Sequence, residues 1–256
     1  MREPREIFEG VRYDCVLVPR EEGSQGQAHV VCVDLRVKTI EPYITPLNPQ
    51  AVRKGYQYRL LHPWWVAQRE QLDIVINGTF FTRSDRSYWP GRCVRSQHTV
   101  IADGKEGYGA RDGHLLWIDE HRQPHVHASS SSGAVPPAAR WGIGSGDLVL
   151  HDGAPQPIRS DAPGRCTILG THAERQLLWL AVFERASFAV AARVLAAAGA
   201  RDALMLDGGG STAMYISRRA PRGCRGALLG GWRPVATHVG IRAQPATCDQ
   251  KRNVPT

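Results

Sequence analysis

Residues 203–212 read Ala-Leu-Met-Leu-Asp-Gly-Gly-Gly-Ser-Thr, an apolar run that ends in an aspartate, three glycines and two hydroxyl residues. The apolar part predicts a short buried strand. Three consecutive glycines are costly in a regular element, because glycine loses more backbone freedom on ordering than other residues. Successive N–H groups in such a turn can form a nest for an anion. The stretch therefore predicts either an anion-binding turn beside the Asp207 carboxylate, or a tight turn that Asp207 caps.

The segment before this stretch predicts a strand, a helix and a second strand. Gln176–Phe183 is largely Leu, Trp, Ala and Val, as in a buried strand. Ser187 can cap the helix that follows, and Gly199 can end it. Such a unit is typical of a crossover connection, which places Asp207 at the carboxyl end of a strand. Ligands of open α/β sheets commonly bind at such ends.

The rest of the chain reads mainly as strands. Tyr13–Pro19 and His29–Val37 predict a hairpin. A helix is expected over Pro63–Gln71, followed by a buried strand, Leu72–Ile76, that stops at Asn77-Gly78. The fold class predicted is α+β, a mixed β-sheet core with few helices. We expect an N-terminal β-rich segment (1–59) packed on the core, a single domain over 60–242, and a C-terminal tail (243–256).

Composition limits the partners. The chain has 256 residues and a net charge of +8, which favours anionic partners. No motif of a nucleic-acid-binding module accompanies the basic residues, so nucleic acid is not expected, and no apolar run is long enough to span a membrane. The six cysteines form no CxxC pair and are expected to be mostly free thiols. Because no signal peptide is visible, we expect a cytoplasmic protein, or a secreted one if an export signal precedes this sequence.

Five motifs resemble, in order, those of the phosphodiester glycosidase family. Ile76–Phe81 resembles its "NGGFF" element, and Ser145–Gly153 its "sGgPlLv…dG" segment. Thr167–Gly170 resembles the end of "RTAIG", and Ala203–Met214 is similar to "ALnLDGGGSttm". Arg233–Val239 resembles the closing "RpVanal" strand. The resemblance covers roughly residues 60–242 and implies a single phosphodiester-glycosidase-like domain.

Two positions depart from the family pattern. Cys166 stands where the family has arginine directly before the threonine, and Arg165 lies one step earlier. A one-residue shift in a strand turns a side chain to the other face, so Arg165 needs a bulge to reach the same place. The strand after Trp179 ends Phe183-Glu184-Arg185, where many relatives have Asp-Gly-Arg.

The resemblance implies hydrolysis of a glycosyl-1-phosphodiester, such as an N-acetylglucosamine-1-phosphodiester, at the glycosidic bond. Such chemistry needs a carboxylate at the anomeric carbon and groups that hold the leaving phosphate. Asp207 is the expected carboxylate, and His238 is a candidate acid. The candidates for binding sugar or phosphate are Asn77, Gly78, Arg165, Thr167, Gly208, Gly209, Gly210, Ser211, Thr212 and Arg233.

Other functions stay open on the sequence. One is a non-catalytic binder of phosphorylated or anionic glycans, which would keep the glycine turn without turnover. Another is a metal-dependent phosphodiesterase that cuts the P–O bond. A divalent cation, Ca²⁺ or Mg²⁺, is a candidate cofactor near Asp207, because the substrate brings phosphate oxygens. The substrate expected is a small or polymer-linked sugar phosphodiester.

Overall fold

The computed structural model describes residues 3–19, 25–82, 87–107, 113–127, 136–158 and 162–246. Its three α-helices in that part of the chain are α1 (Pro49–Val52), α2 (Pro63–Arg69) and α3 (Phe188–Ala197), with a 3₁₀ turn at Gly209–Ser211. The first strands are β1 (Arg5–Phe8), β2 (Val11–Pro19), β3 (Gln25–Asp34), β4 (Glu41–Ile44), β5 (Tyr58–Arg59), β6 (Ile74–Asn77), β7 (Phe81–Thr82), β8 (Cys93–Ser96), β9 (Val100–Ala102) and β10 (Lys105–Gly107). The later ones are β11 (His114–Asp119), β12 (Pro124–His127), β13 (Ala139–Ser145), β14 (Leu148–His151), β15 (Ala154–Pro155), β16 (Gly164–His172), β17 (Leu177–Ala186), β18 (Asp202–Met205), β19 (Ala213–Ile216), β20 (Gly226–Gly230) and β21 (His238–Arg242).

The strands form four sheets. The largest has eight strands in the order β1-β2-β3-β17-β16-β18-β14-β15. Two five-stranded sheets have the orders β10-β9-β13-β11-β12 and β20-β19-β6-β21-β4, and β5-β8-β7 form a small fourth sheet. The expectation of a β-rich protein with few helices is therefore confirmed.

The crossover predicted before the glycine turn is present. β17 and β18 both pair antiparallel with β16, so they run parallel to each other with β16 between them. Because β16 lies between β17 and β18, all neighbouring strands that the structure describes pair antiparallel. The prediction of a sheet with both parallel and antiparallel neighbours is therefore wrong for the described strands. The insertion of β16 places Thr167 directly beside the strand that leads to Asp207.

Helix α3 begins and ends where the sequence predicts. The Ser187 hydroxyl accepts from the Val190 N–H at 3.3 Å, which caps the first turn. Gly199 follows the helix with φ +100°, a conformation that glycine adopts without a Cβ penalty. The buried face of α3, with Leu195, covers the outer side of the eight-stranded sheet, where Cys166 also packs. Alternate side chains of β16 therefore point either toward α3 or toward the opposite face of the sheet.

The main core lies between the sheets. Inward-facing residues of the eight-stranded sheet, such as Leu169 and Leu204, pack with Ile76 of β6 and with Ile143 of β13. Helix α2 covers the other side of the β6 sheet through Val66. It ends two residues before the predicted Gln71. No helix in the described segments is long and apolar enough to cross a membrane.

The predicted N-terminal segment, 1–59, shares sheets with the region expected to carry the site. β1–β3 belong to the sheet of β16–β18, and β4 pairs with β21. At the other end, Ala243 is buried and the Gln244 carbonyl accepts from the Glu9 N–H at 3.0 Å. The first residues of the predicted tail are thus attached to the core, whereas residues 247–256 lie outside the described segments.

Candidate active site

The glycine turn lies where strands of two sheets meet. It follows β18 of the eight-stranded sheet and leads into β19, which pairs with β6 of a five-stranded sheet. The Asp207 N–H donates to the Gly78 carbonyl at 3.1 Å, and this bond joins the turn to the end of β6. The Gly78 N–H in turn donates to the Thr237 carbonyl at 2.7 Å. The structure therefore brings the carboxyl ends of β6 and β18 together.

The Asn77 side chain holds both ends of this turn. Its Nδ2 donates to the Asp207 carbonyl at 2.6 Å, and its Oδ1 accepts from the Ala213 N–H at 3.0 Å. The same Oδ1 accepts from the Thr167 hydroxyl at 2.7 Å. Asn77 and Thr167 are fully buried, so these bonds are shielded from water. Both residues position the turn, and the amide that was expected to bind substrate is already used by protein groups.

The three glycines present successive backbone amides at the start of a short turn. The chain turns through a short 3₁₀ segment in which the Ser211 N–H donates to the Gly208 carbonyl at 3.1 Å. Gly209 has φ +59°, and an added Cβ there would meet nothing within 4 Å. Within the described part of the chain, no group accepts from the N–H of Gly208, Gly209 or Gly210. Three successive donors that find no acceptor among the described residues, beside Asp207, can hold a phosphate.

Arg233 packs directly against the turn. An ideal Cβ on Gly210 would lie 2.4 Å from the Arg233 Cζ, so the guanidinium occupies the space that a larger residue would need. The guanidinium also lies over the Tyr88 ring, 4.1 Å from its centroid. A cation stacked on an aromatic face is held in a fixed plane. The structure thus places the Arg233 guanidinium, a candidate phosphate ligand, against Gly210.

Tyr88 is a site residue that the sequence did not indicate. It lies in a polar stretch that reads as loops and short hairpins, and its ring packs edge-on against Phe81 at 6.3 Å. Phe81 belongs to the "NGGFF"-like element. Its aromatic side chain is the sequence signal that could have indicated an aromatic neighbour such as Tyr88. The Arg233 guanidinium therefore contacts both the Tyr88 ring and Gly210 of the turn.

The side chains of Arg165 and Cys166 lie on opposite faces of β16. Cys166 is buried on the α3 side of the sheet, where its thiol contacts apolar side chains and no phosphate could reach it. Alternation along β16 places the exposed Arg165 on the face of Thr167. The pairing of β16 with β17 shifts register here, so that Glu184 and Arg185 lie opposite Arg165. The Arg165 carbonyl lies 3.0 Å from where a Cβ of Gly208 would be, which brings this strand against the turn.

His238 lies in the core rather than in the site. Its side chain is fully buried, its Nδ1 lies 3.0 Å from the Thr45 hydroxyl, and its Nε2 lies 3.2 Å from the Leu61 carbonyl. Because a carbonyl only accepts, Nε2 carries the proton and Nδ1 accepts from Thr45. Burial lowers the pKa of His238 to about 3. A neutral imidazole with both nitrogens engaged has no proton to give to a leaving group, so the geometry assigns His238 a structural role instead of the expected acid role.

Two buried hydroxyl groups complete the surroundings of the turn. Thr79 and Thr212 are buried, and their Oγ1 atoms have no hydrogen-bond partner among the described residues. Buried polar atoms are normally paired, so these hydroxyls are available to water or to a bound ligand. Ser211 is buried at the end of the 3₁₀ turn.

The protein groups at the turn make an incomplete cation site. No group of three or more His, Cys, Asp and Glu side chains capable of holding a metal occurs in the described segments. Asp207 offers a single carboxylate, whereas Ca²⁺ takes 6–8 oxygen ligands and Mg²⁺ commonly combines one or two carboxylates with substrate phosphates. The cation expected from the sequence would therefore need further oxygen ligands from backbone carbonyl groups, water or the substrate.

Fold and site together define a β-rich protein with an arginine-backed glycine turn beside a carboxylate. The sequence pattern of the phosphodiester glycosidase family matches residues 70–242, and the chain belongs to this family. No curated protein matches the sequence.

Solved structures share the fold at low sequence identity. The catalytic domain of zebrafish N-acetylglucosamine-1-phosphodiester alpha-N-acetylglucosaminidase, auto-inhibited by its pro-peptide, has a TM-score of 0.65 and 15% identity, with 95% of this chain and 86% of that chain covered. A hypothetical protein from Synechocystis has a TM-score of 0.61 and 14% identity over 92% of this chain, which spans only 62% of that protein. A Burkholderia pseudomallei protein has a TM-score of 0.57 and 12% identity, with coverages of 86% and 74%. At such identities these likenesses show the fold alone.

Proposed function

We propose that this protein hydrolyses a glycosyl-1-phosphodiester at the glycosidic bond and releases the free sugar and a phosphomonoester. The observation that carries the proposal is the set of three glycine amides that no group in the described segments accepts from, next to Asp207 and in contact with Arg233 at Gly210. Family membership supports a phosphodiester glycosidase, and the net charge of +8 suits an anionic substrate.

The leaving group explains why this site is suited to the reaction. A phosphate ester is far less basic than an alcohol, so its departure needs little help from a general acid. It does need donors that stabilise the charge growing on its oxygens. The amides of Gly208–Gly210 and the Arg233 fork supply such donors, and the burial of His238 is then no obstacle.

Asp207 supplies the carboxylate at the anomeric carbon, either as the nucleophile or as the base that activates water. Two bonds fix its backbone: the N–H to Gly78 and the carbonyl to Asn77. In either case the C1–O bond breaks, the electron pair leaves with the phosphate, and water supplies the new hydroxyl of the sugar. All the phosphate oxygens stay on the product phosphomonoester.

Hydrolysis of a methyl N-acetylglucosamine-1-phosphodiester in ¹⁸O-water, followed by ³¹P NMR, tests the proposal. Cleavage of the C1–O bond yields unlabelled methyl phosphate and free sugar, which is the expected result. An isotope-shifted phosphorus signal would mean attack at phosphorus, as in the phosphodiesterase alternative. Turnover that persists in EDTA is expected, because the charge-stabilising groups belong to the chain. Binding without turnover in the wild-type protein, and the same absence of turnover in Asp207→Asn, would instead support the non-catalytic binder.

A further inference from the structure

One surface loop carries four arginines, and it lies at the far end of β19 from the glycine turn. Residues 217–225 connect β19 to β20, and the exposed arginines among them are Arg218, Arg219, Arg222 and Arg225. We call residues 217–225 the arginine loop. The Arg225 Nη1 donates to the Arg218 carbonyl at 3.4 Å, so the loop folds back on itself and brings groups of the same charge together. Such an arrangement costs stability through self-repulsion unless an anion compensates the charge.

The arginine loop is attached firmly to the rest of the fold. Ala220 and Cys224 are buried in the main core. The Ser217 hydroxyl donates to Asp73 Oδ1 at 2.8 Å, and Arg219 Nη1 donates to Asp73 Oδ2 at 3.0 Å. Because the backbone is already held in place, binding a ligand here orders only the arginine side chains.

The ion pairs of the loop leave most of its positive charge uncompensated. In the described segments, the one ion pair of the arginine loop joins Arg219 to the buried Asp73. Arg218, Arg222 and Arg225 are thus three exposed guanidinium groups without a carboxylate partner there. A guanidinium presents a planar fork of N–H donors, which matches the oxygen atoms of a phosphate group. The loop is therefore suited to a phosphate-bearing ligand.

Strand β20 connects the arginine loop to the region of the glycine turn. The β19–β20 pair runs from Ala213 opposite Gly230, next to the turn, to Ile216 opposite Gly226, next to the loop. The five residues of β20, at roughly 3.3 Å each, separate these two ends by about 13 Å. Among the described strands β20 pairs only with β19, so it is an edge strand, and it carries no charged side chain. Three residues after β20 lies Arg233, which contacts the turn.

A single phosphate cannot contact groups this far apart, whereas a chain with a phosphate at each link can. We infer that the arginine loop is a second anion site, which binds a phosphate of a phosphodiester-linked glycan while another phosphate of the same chain lies at the glycine turn. The glycan as the substrate rests on the proposed function, but the anion site itself does not. Nucleic acid also carries phosphates, yet the loop has no aromatic side chain on which a base could stack.

Calorimetric titration tests the loop with a defined probe, a hexamer of 6-linked N-acetylglucosamine 1-phosphate. All proteins carry Asp207→Asn, so that the probe is not consumed. Adding Arg218→Gln and Arg222→Gln should weaken hexamer binding roughly tenfold and lower the slope of log Kd against log[NaCl] by about one. Binding of the methyl N-acetylglucosamine-1-phosphodiester should not change, and neither should the melting temperature, because the Asp73 contacts stay intact.

The matched control removes the same charge elsewhere, with Arg175→Gln and Arg193→Gln. These exposed arginines lie in the turn between β16 and β17 and on α3, at the eight-stranded sheet. The control should bind the hexamer as tightly as the protein with both arginines. Equal losses in the two double variants would show an effect of net charge alone and would overturn the inference. So would a thymidylate hexamer that binds as tightly as the glycan and loses the same factor in the loop variant, since the loop would then serve nucleic acid.

Turnover separates this inference from the proposed function. With Asp207 present, the loop variant should show a lower ratio of kcat/KM for the hexamer to kcat/KM for the methyl ester, and an unchanged value for the methyl ester. If the wild-type protein hydrolyses neither compound, the proposed function fails, while the calorimetric comparison still decides about the anion site. Hexamer binding no tighter than that of the methyl ester would overturn the second site whether or not turnover occurs.

Discussion

Replacing Gly210 with alanine tests whether the glycine turn acts together with Arg233. The new Cβ would lie 2.4 Å from the Arg233 Cζ and 2.4 Å from its Nη2. Carbon atoms in contact are ordinarily about 3.5–4.0 Å apart, so the guanidinium must withdraw by about 1 Å or more. The obstacle is the far end of a flexible side chain, and the backbone of Gly210 is not in the left-handed region, so folding itself is not opposed.

Gly210→Ala should therefore keep or raise the stability of the fold while it lowers the catalytic activity. An alanine at a position with ordinary backbone angles stabilises a protein by about 0.4–1 kcal/mol, because the unfolded chain has less freedom to lose. Displacing Arg233 removes charge-assisted hydrogen bonds worth roughly 1.5–3 kcal/mol, which corresponds to about a 10- to 150-fold loss in rate. We expect Gly210→Ala to keep or raise the melting temperature while kcat/KM for a sugar-1-phosphodiester falls by that factor.

A double-mutant cycle with Arg233→Ala shows whether the fall in kcat/KM of Gly210→Ala is caused by displacement of the arginine. Thermal unfolding and kcat/KM are measured for both single variants and for the double variant. The reasoning predicts that Gly210→Ala costs almost nothing further once Arg233 is absent. If alanine slows the Arg233→Ala enzyme by the same factor as it slows the wild type, its effect comes from the turn's backbone, and the role assigned to the guanidinium is refuted.

Three further changes test the other residues. Asp207→Asn should lower kcat by roughly 10²- to 10⁴-fold without shifting the urea midpoint, and retained turnover would remove Asp207 from the chemistry. Asn77→Ala leaves several buried partners unpaired and should cost about 3 kcal/mol of unfolding free energy or more, against about 1 kcal/mol for Thr167→Val. Equal losses in urea titrations would contradict the conclusion that the Asn77 side chain holds both ends of the turn. Below pH 6.5 the unfolded chain protonates His238 while the folded one does not until about 3, so His238 should lower the stability by up to about 1.4 kcal/mol for each unit by which the pH falls. His238→Gln should remove this contribution and leave that of His29 and His114, whose pKa values burial also lowers.

Local patterns were sufficient for the elements next to the site. The predicted strand, helix and strand before Asp207 appear as β17, α3 and β18, with the cap at Ser187 and the stop at Gly199 as expected. These features depend on side-chain periodicity and on backbone preferences of single residues, which act over a few positions. The same holds for the hairpin of β2 and β3.

Contacts between distant parts of the chain were not predictable in this way. The insertion of β16 between β17 and β18 decides that Thr167 meets Asn77, and no local pattern specifies it. His238 reads as a candidate acid in the sequence, yet the pairing of β21 with both β6 and β4 encloses it completely. Tyr88 belongs to none of the five motifs. Only the tertiary structure shows that it lies under the Arg233 guanidinium.

The sequence by itself determined where the chain turns after β18, since three consecutive glycines allow backbone angles that other residues avoid. It also determined the family, because the motifs and their order are visible in the sequence alone. Only the tertiary structure decided which side chains serve that turn: Asn77 and Thr167 as buried supports, Arg233 and Tyr88 as its outer partners, and His238 as part of the core. The physical reason is that burial and hydrogen-bond pairing depend on how sheets pack, and residues far apart in the chain acquire a shared role only when that packing brings them into contact.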